Sequence, residues 1–422
     1  MSPPSTHGVV AAVTQPEAWA WLQALPPYTE AAAMAQLTEL RKDGLAPEVA
    51  AALLTQSRLR AKARPKLGSI ADDMLFTADG VEQATRALVA KEHAQRYRDA
   101  NIATVADLTC GIGADALAFA QAGLQVIATD IDPETAAIAA WNLRNFPGVK
   151  VKCTDGLSLD FVAEKVSGIY ADPARRRTGG KRIFDPAAYA PPLADILNLQ
   201  TVVPALGIKI GPGIPHQDIP AGAAAQWVSV DGDVVECGLW FGPLALNGTG
   251  RSALILRSSL GGSRSRLILD DGLDATQPTP TGAVGNYLYE PDGAVIRAGL
   301  VGTTAREIGG WLLDPTIAYL TSDHLAAPTA AASSSLDAPP IVTGYRVQDT
   351  MPFSVKRLKS YLRERNVGRV AIKKRGTAVT PEALRSQLAL KGNNEATVVL
   401  TRIAGKQSIL IVEPIEPLLR VS

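Results

Sequence analysis

Cysteine is scarce: Cys110, Cys153 and Cys237 are the only three in 422 residues. They lie far apart and form no CxxC, which excludes a disulfide framework and a thiolate metal centre and suits a reducing cytosol. The four histidines, His7, His93, His216 and His324, are scattered without ligand spacing, so catalytic zinc is not expected. Charge of one sign is also missing. A formal net charge of +1 gives no overall field of the kind a nucleic-acid-coating protein carries, and a polyanion would have to be met by local patches. No stretch stays apolar for the roughly 18 residues of a membrane span. Residues 1–8 lack the basic start and apolar run of a secretion signal. The expectation is a soluble cytoplasmic protein with neither membrane nor metal partner. GxSxG and a P-loop lysine are absent as well, which removes two common catalytic schemes.

The length exceeds one ordinary core and fits two or three domains. From Pro16 to about Arg64 the chain is rich in Ala and Leu at helical spacing, as in Ala33, Leu37 and Leu40, and is punctuated by Pro26, Pro27 and Pro47. This predicts a helical N-terminal cap over residues 1–69. A basic stretch closes it (Arg58, Arg60, Lys62, Arg64, Lys66), and a helix is predicted over about 80–98. Short apolar strands then alternate with helices: strand 104–108, helix 115–122, strand 125–129, a helix opened by Pro133-Glu134, and strands 149–153, 168–170 and 202–210. Such alternation predicts a doubly wound α/β sheet with helices on both faces, placed at residues 70–270. Asp231-Gly232 marks a hairpin in its β-rich last part. Residues 271–342 are expected to connect, with Tyr287 to Ser322 read as a strand-turn-helix element between the loose residues 260–281 and a low-complexity Ala/Ser/Pro linker at 326–340. Residues 343–422 have the order strand, helix, strand, helix, strand, strand, as in a small α+β domain close to ferredoxin-like.

Chemistry concentrates in Asp107-Leu108-Thr109-Cys110-Gly111-Ile112-Gly113-Ala114-Asp115 and in the Asp130 that closes the next strand. A glycine turn at the carboxyl end of a first strand lets backbone N–H groups and a helix N-terminus approach a nucleotide, and an acid ending the second strand can accept from ribose hydroxyls. Dinucleotide oxidoreduction would call for GxGxxG, but Ala116 stands where the third glycine would fall.

The run resembles motif I of class I S-adenosylmethionine-dependent methyltransferases, where an acid at the strand end precedes a glycine pair and contacts the cofactor's amino acid end. DLTCGIG is similar to the DxxCGxG variant of RNA methyltransferases and the trimethylguanosine synthase group, with Thr109 in place of the usual first glycine. Asp130-Ile131-Asp132-Pro133 looks like the family's ribose-binding acid and helix start, and Asp155-Gly156 falls where an acid meets the adenine amino group. Phe76, Thr77 and Gln83 resemble the segment that closes over the cofactor. Asp172-Pro173-Ala174-Arg175 stands in the place of motif IV, with Ala174 and Arg175 replacing the usual second proline and aromatic. The resemblance implies a Rossmann-like sheet binding S-adenosylmethionine through Asp107, Thr109, Gly111, Gly113, Asp130, Asp155, Phe76 and Thr77. Asp172 would orient the acceptor, since methyl transfer needs an acceptor lone pair in line with the sulfonium methyl.

Arg175, Arg176, Arg177, Lys181 and Arg182 flank Asp172, a basic loop suited to phosphates or to plain solvation. The tail carries the strongest charge bias, including Lys356, Arg357, Lys359, Arg363, Lys373, Lys374 and Arg375. Its segments MPFSVKRLKSYLRERNVGRVAIKKRG and ATVVLTRIAGK, with KIGPGI and YEPDGAVIRAGL upstream, resemble a bacterial class I methyltransferase family with a THUMP-like C-terminal domain. The resemblance implies a structured RNA substrate, tRNA or rRNA, held in part by Arg175, Arg176, Lys373, Lys374 and Arg375. A small-molecule or protein methyltransferase, and a non-catalytic cofactor-binding RNA module, are the competing readings.

Overall fold

The computed structural model describes residues 6–175, 189–259, 262–273, 277–326 and 339–415. The chain divides into two compact units, Met1–Ala224 with Cys237–Thr249, and Ala225–Glu236 with Gly250–Ser422. Among the described residues no helix is long and apolar enough to cross a membrane.

The first unit opens with helices α1 (Thr6–Val13), α2 (Pro16–Ala24), α3 (Ala33–Lys42) and α4 (Pro47–Leu67). Proline begins α2 and α4, a position where its missing N–H costs nothing. Two further helices follow, α5 (Ala78–Gln83) and α6 (Ala87–Asp99). The sequence predicts one helix there. Ala84 instead turns extended, at φ −51° and ψ 133°, because the next residue, Thr85, is buried and hydrogen-bonded to a side chain of the sheet domain.

The sheet elements are β1 (Thr104–Asp107), α7 (Ala114–Gln121), β2 (Gln125–Asp130), α8 (Pro133–Asn142), β3 (Val149–Cys153), β4 (Gly168–Ala171), β5 (Ala174–Arg175), β6 (Tyr189–Ala190), α9 (Leu193–Asn198) and β7 (Leu206–Ile210). Strands β3, β2, β1, β4 and β7 lie side by side in that order, all parallel. Strand β8 (Ala224–Val230) is followed by β9 (Asp233–Phe241), whose residues Cys237–Phe241 run antiparallel to β7. Strands β1 and β4 are buried along nearly their whole length, as expected where helices cover both faces. Asp132 caps α8 by accepting from Thr135 N at 2.8 Å, with Pro133 at the first helical position.

In the second unit, Asp231 and Gly232 take φ of 52° and 96°, the left-handed pair a tight hairpin needs. Strand β10 (Gly250–Ser259) pairs antiparallel with β11 (Gly262–Leu269), so the segment expected to be loose carries a strand. The connecting stretch, predicted to hold a strand-turn-helix element over Tyr287 to Ser322, is ordered there. It supplies β12 (Tyr287–Pro291), α10 (Gly293–Ala298), α11 (Val301–Ile308), β13 (Trp311–Asp314) and β14 (Ile317–Ser322), followed by β15 (Val342–Pro352), α12 (Val355–Glu364), β16 (Val367–Lys374), α13 (Pro381–Leu388), β17 (Asn394–Ile403) and β18 (Lys406–Pro414). These strands form one seven-stranded sheet in the order β13-β14-β12-β15-β18-β17-β16. Residues 287–322 thus share one sheet with residues 342–414. Leu288, Leu313 and Tyr319 pack with Tyr345, Val399 and Leu410 in one core, a long-range pairing that composition does not announce. The low-complexity run falls mostly outside the described residues.

Candidate active site

In the first unit the strand order reverses between β1 and β4, because β1 leads to β2 and β3 on one side while β4 adds to the other. Helix crossovers on opposite faces leave a crevice at the carboxyl ends of such strands. A cleft of about 660 Å³ lies there, with Thr77, Thr109, Gly111, Asp130, Asp155 and Asp172 among its lining residues. Asp107 and Gly113, neighbours of lining residues in the chain, lie behind that surface.

The turn after β1 is built by Gly111 and Gly113, at φ of 54° and 88°, where a side chain would be strained. Gly111 N donates to Asp130 Oδ2 at 3.1 Å and Asp132 N donates to Asp130 Oδ1 at 2.9 Å. Burial nonetheless raises the Asp130 carboxyl above its usual range. Asp107 is 1% exposed. Its Oδ1 accepts a long bond from Thr109 N, 3.3 Å, while its Oδ2 is buried without a partner. Burial, then the nearby charge of Asp115, pushes Asp107 well above the usual carboxylate range. Asp155 caps the short turn that follows it, accepting from Leu157 N at 3.0 Å. Cys110 is packed, and burial pushes its thiol up, which suits a structural residue rather than a nucleophile.

A second set of groups, not assigned by sequence reasoning, joins Asp172 to the interior. Lys209 Nζ donates to Asp172 Oδ2 at 2.5 Å and to Thr85 Oγ1 at 2.8 Å. Thr85 Oγ1 in turn donates to Asp115 Oδ2 at 2.6 Å, and Asp115 Oδ1 accepts from His93 Nδ1 at 2.9 Å. Burial alone would raise Asp115, but the bond from His93, with Lys209 and Thr85 nearby, holds it below the usual range. One signal was available in the sequence: Lys209 is the single charged residue in the otherwise apolar strand Leu206–Ile210.

Residues 342–414 match the THUMP domain-like family, and residues 8–63 match a domain of unknown function. A Mycobacterium tuberculosis protein, described in two strains as an uncharacterized S-adenosylmethionine-dependent methyltransferase, is 33% identical over 362 residues, which are 83% of this chain and 92% of that protein. The chain belongs to the S-adenosylmethionine-dependent methyltransferases. A solved structure from Porphyromonas gingivalis, described as a candidate methyltransferase, shares the fold at a TM-score of 0.68 and 21% identity, over 93% of this chain and all, 100%, of that one. The methyltransferase's cofactor is S-adenosylmethionine, whose sulfonium supplies an electrophilic methyl group. The cleft fits it on two counts: Asp130 stands beside the glycine turn, and Asp107, just behind the lining at the end of β1, keeps a buried Oδ2 without a partner.

Several expected contacts are placed differently in this methyltransferase. Phe76 is 1% exposed in the core cluster and is not among the residues lining the cleft; an aromatic before a helix cap serves packing here. Thr77 does line the cleft, and its hydroxyl accepts from Gly80 N at 2.9 Å. Lys373 and Arg375, expected to meet substrate, are ion-paired with Glu290 at 2.8 and 3.2 Å. Lys374 is exposed. The backbone of Arg175 pairs with Tyr189, and Arg176 lies outside the described residues. The basic stretch before the sheet domain is also engaged within the chain, with Arg64 on Asp72 at 2.5 Å and Lys62 on Glu82 at 2.9 Å. Among the described residues no group of three or more His, Cys, Asp or Glu could hold a metal.

Proposed function

We propose that this methyltransferase acts on a structured RNA, tRNA or rRNA, which its THUMP-like domain holds. The observation that carries this reading is the charged face of α12. Leu358 and Leu362 are buried, while Lys356, Arg357 and Arg363 are exposed on the opposite side. Phosphate contacts of this kind need cations that no carboxylate has already taken. Asp107, Thr109, Gly111, Gly113, Asp130 and Asp155 form the cofactor's cradle, Asp107 taking the ammonium of its amino acid end and Asp130 its ribose hydroxyls. Asp172 accepts from the acceptor group and orients it, so that positioning supplies much of the rate. The three cysteines form no disulfide, in keeping with work in the cytosol.

Tritiated methyl transfer from S-adenosylmethionine to total RNA tests this, with RNA from a source strain lacking the gene and with Asp172→Ala as control. Label in RNA with the wild-type enzyme alone supports the reading. Cofactor binding without labelled RNA would overturn it and turn the search to protein or small-molecule acceptors.

A further inference from the structure

Residues 74–76 run extended between the N-terminal helices and α5 without a partner strand. Extended backbone exposes N–H and C=O groups that must be satisfied when buried. Here side chains do it. Arg60 Nε donates to Met74 O at 3.0 Å. Asn142 accepts from Leu75 N at 2.7 Å and donates to Leu75 O at 3.0 Å. Gln56 accepts from Phe76 N and donates to Phe76 O, both at 2.9 Å. Each carboxamide thus replaces one rung of a β ladder. A one-residue slip would break every one of these bonds. Asn142 also donates to Ile112 O at 2.8 Å, which ties the same segment to the glycine turn.

Helix α5 follows, only 6 residues long and too short to hold itself by its own hydrogen bonds. Thr77 caps its start. At its end Lys66 Nζ donates to the carbonyls of Val81 and Glu82 at 2.9 and 2.5 Å, groups that would otherwise be left open. The helix rests on the turn so closely that a Cβ on Gly80 would meet Ile112 Cγ2 at 2.4 Å. Thr77, Asp79, Gly80 and Gln83 form one wall of the cleft. Gln56, Arg60 and Lys66 all come from α4, and Gln56 and Arg60 lie inside the matched domain of unknown function.

We propose that the N-terminal helical domain is a working part of the cofactor cleft: α4, through Gln56, Arg60 and Lys66, sets the wall formed by residues 77–83. These are positioning residues, since none is among those lining the cleft. The role holds whether or not RNA is the acceptor. A domain that only packed against the sheet domain would affect thermal stability and leave the affinity of the folded protein alone.

The test is calorimetric titration of the full chain with S-adenosylhomocysteine, alongside amide hydrogen exchange over residues 78–83 and thermal unfolding. Lys66→Met is expected to weaken binding about ten-fold, equivalent to one charge-assisted hydrogen bond. Exchange in α5 should rise while Tm stays within about 2 °C of wild type, because local opening precedes global unfolding. Lys66→Arg should stay within about three-fold of wild type, since it keeps a cationic donor. Gln56→Leu, titrated well below its own Tm, should weaken binding at least as much as Lys66→Met. Affinities within about two-fold of wild type for both Lys66→Met and Gln56→Leu, a difference under about 0.5 kcal/mol on the usual scale, would overturn the inference whatever happens to Tm.

Discussion

The hydroxyl of Thr109, at the position where related motifs carry glycine, accepts the amide hydrogen of Asp172 at 2.8 Å. The end of β1 is thereby fastened to the end of β4, and the backbone of Asp172 is held to the glycine turn. Thr109→Val should leave that amide unpaired and destabilise the protein by about 1–2 kcal/mol, read by denaturant unfolding. Methyl transfer should fall more than S-adenosylhomocysteine affinity does, and Thr109→Ser should restore both. Equal losses in transfer and affinity would show that Thr109 acts through the cofactor cradle alone and does not brace Asp172.

Lys209 and Asp172 have side chains 14% and 31% exposed, so neither charge is fully hydrated. Lys209→Met should remove the cation that Asp172 and Thr85 share and lower stability by about 2 kcal/mol, less than a deeply buried pair because Asp172 still meets solvent. A double-mutant cycle with Asp172→Asn should return a coupling of about 1–2 kcal/mol. Additive losses would show that Lys209 acts on Asp115 and Thr85 alone.

What the sequence disclosed and what it hid follow one physical line. The glycine turn, the acid ending β2 and the strand-helix alternation are local patterns, so the doubly wound sheet and the family were legible. Asp107, Thr109, Asp130, Asp155 and Asp172 all end or follow strands, and parallel strands bring their ends together without further information. Lys209, Thr85 and His93 meet Asp172 and Asp115 only through tertiary packing, across separations no periodicity encodes. Phe76 packs in the core cluster, and a buried aromatic and a cofactor-facing one share the same sequence signal. Lys373 and Arg375 read as free cations because Glu290, their partner, sits more than 80 positions upstream.

Asp107, proposed above to take the cofactor's ammonium, makes stability depend on pH. Its folded-state pKa lies well above its ordinary value through burial and the charge of Asp115, whereas in the unfolded chain it ionises near about 3.9. Above that pH the folded state holds more protons than the unfolded one. Stability contributed by this site therefore falls as pH rises toward the folded pKa, by up to about 1.4 kcal/mol per pH unit. Asp107→Asn should raise Tm of the ligand-free protein at neutral pH, flatten that slope, and weaken S-adenosylhomocysteine binding. A ligand-free Tm that drops in Asp107→Asn would show the carboxylate to be stabilising and sink the assignment.

The last prediction separates two groups of cations in the THUMP-like domain. Lys356, Arg357 and Arg363 are exposed along α12, while Lys373 and Arg375 bracket Glu290 and lie over the rings of Tyr345 and Tyr319 at 5.3 Å each. Reversing the three helix residues to Glu should cut RNA affinity and make the salt slope shallower by roughly one for each phosphate no longer neutralised. Tm should hardly change, because single exposed charges contribute little to stability. Reversing Lys373 and Arg375 should instead place like charges around Glu290 and lower Tm, with RNA affinity following only as far as folding is lost. Salt-dependent binding of total tRNA, measured for both variants beside their melting curves, decides it. If the Lys373 and Arg375 variant stays folded and loses the salt slope while the helix variant keeps it, the RNA path runs past Glu290 and not along α12.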